Sequence, residues 1–88
     1  MSYTVILSKK AEKITSKIDI GYYKKIENII SQLSNWPNVA ENLDIKKLMN
    51  VEASYRIRAG TYRIIYIVYE EYMLIEITDV TTRQNAYK

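Results

Sequence analysis

The stretch YRIRAGTYRIIY, residues 55–66, decides the fold because apolar and basic or aromatic side chains alternate on both sides of a short turn. This pattern around a glycine predicts a β-hairpin. With Ala59-Gly60 as a two-residue loop, Arg56 is predicted to pair directly with Arg63, and Arg58 lies on the same face. Like charges that face each other across a ladder cost up to about 1 kcal/mol per pair. The cluster is therefore predicted to bind an anion, with ordinary solvated surface charge as the alternative.

The composition is that of a small globular protein. The chain has 88 residues, of which 48% are hydrophobic and 26% charged, which predicts one domain over residues 1–88. The formal net charge is +3, and residues 53–69 hold three arginines and no acid, so this segment alone carries a charge equal to that excess. The mildly basic balance is compatible with a nucleic-acid partner.

Several kinds of chemistry are excluded by residue types that are absent. The chain has no cysteine and no histidine, so it lacks disulfides, thiolate nucleophiles and the commonest metal ligand and general base. No metal site and no cofactor are predicted. The first residues lack a signal-peptide pattern and no apolar run could span a bilayer, so a cytoplasmic protein is expected.

Hydrophobic periodicity predicts an α+β fold. The predicted elements are a strand over 3–7, a helix capped by Ser8 and reaching Lys17, a second helix from Tyr22 to Leu33, and strands over 55–58, 61–69 and 72–80. A break between the helices is predicted at 19–21, and a helical turn over 45–49. The order places an N-terminal strand and a helical hairpin on one face of a mainly antiparallel sheet.

The aromatic composition is unusual, with nine tyrosines and no phenylalanine. Most tyrosine rings are expected to be half-buried with the hydroxyl at the surface, as for Tyr22, Tyr62, Tyr66 and Tyr69. Tyr55 and Tyr87 lie near basic residues in the sequence, which makes them candidates for base stacking or proton transfer.

Two stretches, DIKKLMNVEASYRIRAGTYRIIYIVY (44–69) and LIEITDVTTRQNAY (74–87), resemble the RelE family within the RelE/ParE superfamily of toxins from toxin–antitoxin systems. They contain a basic-Ile-basic strand, a short turn, the YRIIY element and a final R-x-x-x-Y in the family order. With the preceding strand and helical hairpin, the resemblance covers essentially the whole chain and implies a RelE-like fold.

The resemblance implies the toxin of a type II toxin–antitoxin system, a ribosome-dependent endoribonuclease (mRNA interferase) that cleaves mRNA in the A site. In that chemistry the ribose 2′-OH attacks the adjacent phosphate without a metal ion. The implied partners are a RelB-like antitoxin and the ribosome with its mRNA, at the A site of the 30S subunit. No membrane is implied, and DNA is contacted only through the antitoxin complex.

The resemblance also implies the catalytic residues, which are Arg58, Arg63, Arg83 and Tyr87. Arg63 matches a phosphate clamp and Tyr87 the base or base-positioner. Family members carry lysines on the first hairpin strand, one of them proposed as the base, and arginine does not readily give up its proton, so that role does not transfer to Arg58. Thr81 stands where such members carry another arginine.

The RNA-binding residues implied in the same way are Arg56, Arg58, Tyr55, Lys46 and Lys47. Two alternatives remain open. One is a ParE-like toxin that inhibits DNA gyrase, and the other is a degenerate homologue that only binds antitoxin or RNA. The three clustered arginines and the terminal Tyr87 favour the nuclease, because a gyrase inhibitor has no chemical need for them.

Overall fold

The computed structural model describes residues 2–39, 43–48 and 53–82. Within these ranges the elements are, in chain order, β1 (Thr4–Leu7), α1 (Lys9–Thr15), α2 (Ile20–Leu33), β2 (Asp44–Lys47), β3 (Ser54–Ala59), β4 (Tyr62–Tyr69), a 3-10 turn (Glu70–Tyr72) and β5 (Leu74–Thr82). No helix in the described part is long and apolar enough to cross a membrane.

The strands form one sheet in the order β1-β5-β4-β3-β2. The pairing of β1 with β5 is parallel and the other three pairings are antiparallel. The predicted α+β architecture, two helices packed on a mainly antiparallel sheet, is therefore confirmed.

Ser8 begins the first helix as predicted. Its Oγ accepts a hydrogen bond from the backbone N–H of Ala11 at 3.1 Å and donates one to the carbonyl of Thr78 at 3.0 Å. The hydroxyl therefore satisfies a free N–H of the first helical turn and also ties α1 to β5. Of the two residues predicted to mark the break between the helices, Asp19 does precede α2, whereas Gly21 lies inside it because α2 begins at Ile20.

The helical turn predicted over 45–49 is wrong for the residues that are described, because Asp44–Lys47 is strand β2. It pairs antiparallel with β3 at the edge of the sheet, with Ile45 opposite Ile57. Ile45 is the one apolar side chain of this strand and packs against the core. Such a short segment lacks the alternation that would identify a strand, so the pairing with β3 decides its conformation.

The hairpin has a different register from the predicted one. Ala59 pairs with Tyr62 and Arg58 with Arg63, so the two-residue loop is Gly60-Thr61 and Arg56 lies opposite Ile65. Gly60 has a φ of +63°, and a glycine in the left-handed region at the first loop position is the type II′ arrangement. The predicted pairing of Arg56 with Arg63 is therefore wrong, although alternation still places all three arginines on one face.

The core lies on the other face of the sheet. Sheet residues Ile57, Ile64 and Val80 are fully buried in one cluster with helix residues Ile26 and Leu33. Since side chains alternate along a strand, the helices cover this face and the three arginines point away from them.

An aromatic group within the core contradicts one expectation. Tyr66 is fully buried, stacked on Tyr55 at 5.5 Å and edge-on to Trp36 at 5.6 Å between ring centroids. Its hydroxyl oxygen is itself buried, so the expectation that the hydroxyl reaches the surface is wrong. This hydroxyl makes no hydrogen bond to the described residues. Burial, with a smaller effect of Tyr55, raises the pKa of Tyr66.

Candidate functional site

Three arginines share the face of the sheet that lies opposite the helices. We call Arg56, Arg58 and Arg63 the arginine face. Arg58 and Arg63 are direct cross-strand partners on β3 and β4, and Arg56 lies two residues before Arg58 on the same side of β3. Directly opposed cations repel each other, so the arrangement favours a bound anion between or above them.

An acid approaches this cluster from the edge strand. Asp44 of β2 lies opposite Arg58, with its Oδ1 3.8 Å from Nη2 of Arg56 and its Oδ2 4.0 Å from Nε of Arg58. These separations are too long for hydrogen bonds and describe ionic contacts. Sequence reasoning missed Asp44 because its place beside the arginines depends on β2, and the predicted helical turn concealed that strand.

The arginines differ in their exposure. The Arg56 side chain is 11% exposed, and its Nη1 is buried and makes no hydrogen bond to the described residues. The Arg58 side chain is 43% exposed. Arg58 can therefore contact a ligand directly, whereas Arg56 is held close to the sheet and adds positive charge beneath the surface.

The residues predicted to bind RNA fall on both faces. Lys46 is exposed opposite Arg56 and belongs with the arginine face. Lys47 pairs with Tyr55, which is on the core face, where the Tyr55 ring contacts Trp36 at 4.9 Å. The structure thus brings Lys46 to the arginines and separates Tyr55 and Lys47 from them.

The remaining predicted site residues belong to the C-terminal end of the chain. Arg83 and Tyr87 lie outside the described residues. Thr81, which stands where the family pattern has an arginine, pairs with Arg63. The register therefore forms a row across the sheet, from Asp44 through Arg58 and Arg63 to Thr81.

A comparison with curated proteins identifies a relative over the full length of the chain. The chain is 31% identical over 88 residues to the protein named "Putative toxin RelE1" of Methanocaldococcus jannaschii, covering 100% of this chain and 98% of that protein. No protein-family model matches the sequence.

Solved structures show the same fold. The archaeal RelE–RelB complex from Pyrococcus horikoshii OT3 matches with a TM-score of 0.83 at 28% identity, covering 94% of this chain and 97% of that one. The RelB–RelE antitoxin–toxin complex from Methanococcus jannaschii matches with a TM-score of 0.79 at 29% identity, covering 93% and 94%. The intact Escherichia coli RelBE complex, at 20% identity, has a TM-score of 0.76 over 91% of this chain and 95% of that one, and supports the fold alone. From the full-length relative and these structures, we conclude that the chain belongs to the RelE family of toxins.

Proposed function

We propose that this protein is the toxin of a type II toxin–antitoxin system and that it cuts mRNA in the ribosomal A site. The observation that carries the nuclease proposal is the arginine face, with Arg58 directly opposite Arg63 on the side of the sheet away from the helices. Membership of the RelE family supports the toxin function. Since ribosomes and mRNA are cytoplasmic, the proposal implies that the protein acts in the cytoplasm.

The proposed reaction is an internal transesterification. The ribose 2′-OH loses its proton as its oxygen attacks the adjacent phosphorus, the bond to the 5′ oxygen of the next nucleotide breaks, and that oxygen takes up a proton. The products are a 2′,3′-cyclic phosphate and a 5′-OH end. Negative charge accumulates on the non-bridging phosphate oxygens in the transition state. Arg63 and Arg58 would stabilise that charge, because guanidinium groups donate in a planar fork and stay protonated.

Proton transfer needs a residue other than the arginines, since arginine does not give up its proton. We assign the role of base or base-positioner to Tyr87, and Arg83 is proposed as a further cation at the reacting phosphate. Arg56 and Lys46 are proposed to attract the RNA backbone through their charge. Tyr55 and Lys47 lie on the opposite face, so the proposed RNA contact on the arginine face omits both.

A RelB-like antitoxin is the proposed protein partner. Two of the archaeal structures that this chain resembles were solved as complexes of RelE with RelB. An acidic segment that covers the arginine face would neutralise the toxin by occupying the site of the RNA phosphates. Binding of antitoxin and binding of RNA are then expected to be mutually exclusive.

The test is cell-free translation of a defined mRNA with purified protein, followed by mapping of the new 5′ ends by primer extension. We expect cuts in phase with codons that require ribosomes and that are lost in Arg63→Ala and Tyr87→Phe. Removal of one donor to the developing charge typically costs about 10²- to 10³-fold in rate. Lys13→Gln, a change at an exposed position on α1, serves as the control and should cut normally.

Intact mRNA at high protein concentration would refute the nuclease proposal. A gyrase supercoiling assay on the same preparation would then distinguish a ParE-like inhibitor from a homologue that only binds antitoxin or RNA.

A further inference from the structure

The start of α2 packs against the tip of the β3–β4 hairpin. The Tyr22 ring meets the Tyr62 ring edge-on, with 4.7 Å between centroids, and Thr61 Oγ1 donates to the Tyr22 hydroxyl at 3.4 Å. A Cβ placed on Gly60 would lie 3.1 Å from Cε1 of Tyr22. These contacts fix the Gly60-Thr61 loop against the N-terminal end of α2.

A lysine of α2 lies beside the Tyr22 ring that contacts this loop. Lys25 follows Tyr22 by one helical turn, and its Nζ is 5.2 Å from the centroid of the Tyr22 ring, a cation–π distance. On the other side of the loop, one residue in from the Ala59–Tyr62 pair, are Arg58 and Arg63. Cations therefore flank the hairpin tip on the helix side and on the arginine face.

The loop between these cations can be approached closely. Gly60 and Thr61 are both exposed, and neither carries a bulky side chain. Among the acids of the helical layer, Glu12 and Glu27 line a groove of about 170 Å³ between α1 and α2, on a different flank of α2 from Tyr22 and Lys25. Asp19 immediately precedes the end of α2 that packs against the loop.

We propose that the RNA-binding surface extends from the arginine face over the Gly60-Thr61 loop to Lys25. One RNA strand would lie across the hairpin tip, with the phosphate at the cut site held by Arg63 and a phosphate outside the cut site held by Lys25. The inference rests on the proposed function only in taking RNA as the ligand, and it assigns Lys25 to binding and not to catalysis.

The test measures binding of a fluorescein-labelled, single-stranded 2′-O-methyl RNA by fluorescence anisotropy over a series of KCl concentrations. This RNA has no 2′-OH that could attack, so binding is measured separately from cleavage. A plot of log K against log[salt] has a negative slope, and the loss of one phosphate contact lowers the magnitude of that slope by about 0.7 for a single strand. We expect that decrease for Lys25→Gln, together with an affinity about five-fold lower near 0.1 M salt.

Lys13→Gln is the matched control. It removes the same charge from an exposed position on α1, and its slope should equal that of the unmodified protein. Arg63→Ala should lower the slope as Lys25→Gln does, and the double variant should lower it by the sum, about 1.4, because two separate phosphates are released.

The inference is overturned if Lys25→Gln keeps the original slope. It is also overturned if Lys13→Gln lowers the magnitude of the slope equally, since RNA binding would then depend on the net charge of the protein and not on the position of Lys25. If the protein fails to cleave mRNA, the binding result for Lys25→Gln still stands, because the 2′-O-methyl RNA reports binding alone. A normal slope for Lys25→Gln combined with codon-phased cleavage would refute the extended surface and leave the proposed nuclease intact.

Discussion

The contact of Asp44 with two arginines predicts that Asp44→Asn strengthens RNA binding. The carboxylate competes with phosphate for Arg56 and Arg58, at 3.8 and 4.0 Å respectively. Asparagine keeps the size of the side chain and one acceptor oxygen, replaces the other oxygen by an NH2 donor, and removes the charge. Arg58 would then meet an incoming phosphate without first losing an ionic partner, and the charge of Arg56 beneath it would no longer be offset by the carboxylate.

The size of the effect follows from the exposure of the pair. The Asp44 side chain is 55% exposed, and exposed ion pairs are worth about 0.2–1 kcal/mol each. Both contacts are near the upper distance limit for an ion pair, so the lower half of that range applies. Two contacts then give about 0.4–1.2 kcal/mol, which corresponds to an RNA affinity about two- to eight-fold higher.

The assay is anisotropy with the 2′-O-methyl RNA at a fixed, moderate KCl concentration. Glu71→Gln is the matched control, because it also removes one exposed carboxylate but lies beyond the far end of β4 from the hairpin tip. We expect a gain for Asp44→Asn and no comparable gain for Glu71→Gln. Equal gains, or weaker binding by Asp44→Asn, would refute the competition argument, and weaker binding would mean that Asp44 chiefly orients the arginines.

Three further predictions concern stability and are measured by urea unfolding. Gly60→Ala should lower the free energy of unfolding by about 1–2 kcal/mol, because φ is +63° and the new Cβ would meet Tyr22 at 3.1 Å. Gly21→Ala, inside α2, should be neutral or stabilising. Equal losses in the two variants would contradict this. Burial raises the pKa of Tyr66 above its ordinary value near 10. The contribution of the neutral Tyr66 hydroxyl to the free energy of unfolding should therefore be fully present below pH 10 and be lost as the pH rises further. Tyr66→Phe should flatten that decline and cost little at pH 7, and an unchanged alkaline decline would contradict the assignment to Tyr66. Ser8→Ala should lower the free energy of unfolding by about 1–2 kcal/mol, since one hydroxyl both caps α1 and bonds to β5. An unchanged urea midpoint would show that water replaces both hydrogen bonds.

The helices and the long strands could be predicted because their signals are local. The stripe of Ile26, Ile29 and Leu33 has helical spacing, and all three side chains are buried. The Ser8 cap is a hydrogen bond between residues only three apart in the chain, so it can be predicted from the local sequence. The resemblance to the RelE family was likewise carried by residues in chain order and is confirmed by the full-length relative.

The errors arose where the pairing of strands decides the structure. The hairpin register depended on which two residues form the loop, and the left-handed conformation of Gly60 at the first loop position favours Gly60-Thr61. Strand β2 was missed because its pairing with β3, and not its own four residues, makes it a strand. The position of Asp44 beside Arg56 and Arg58 followed from the pairing of β2 with β3, so the electrostatics of the site could not be derived from the sequence.

The parallel pairing of β1 with β5 has a consequence for the order in which the protein folds. Ser8, just after β1, bonds to Thr78 of β5, 70 residues further along the chain. The pairing of β3 with β4 is local and can form early, but β1 has no partner until β5 has left the ribosome. During synthesis the arginine hairpin can therefore exist before the sheet that supports it, and the sheet is completed only after nearly all of these residues have been translated.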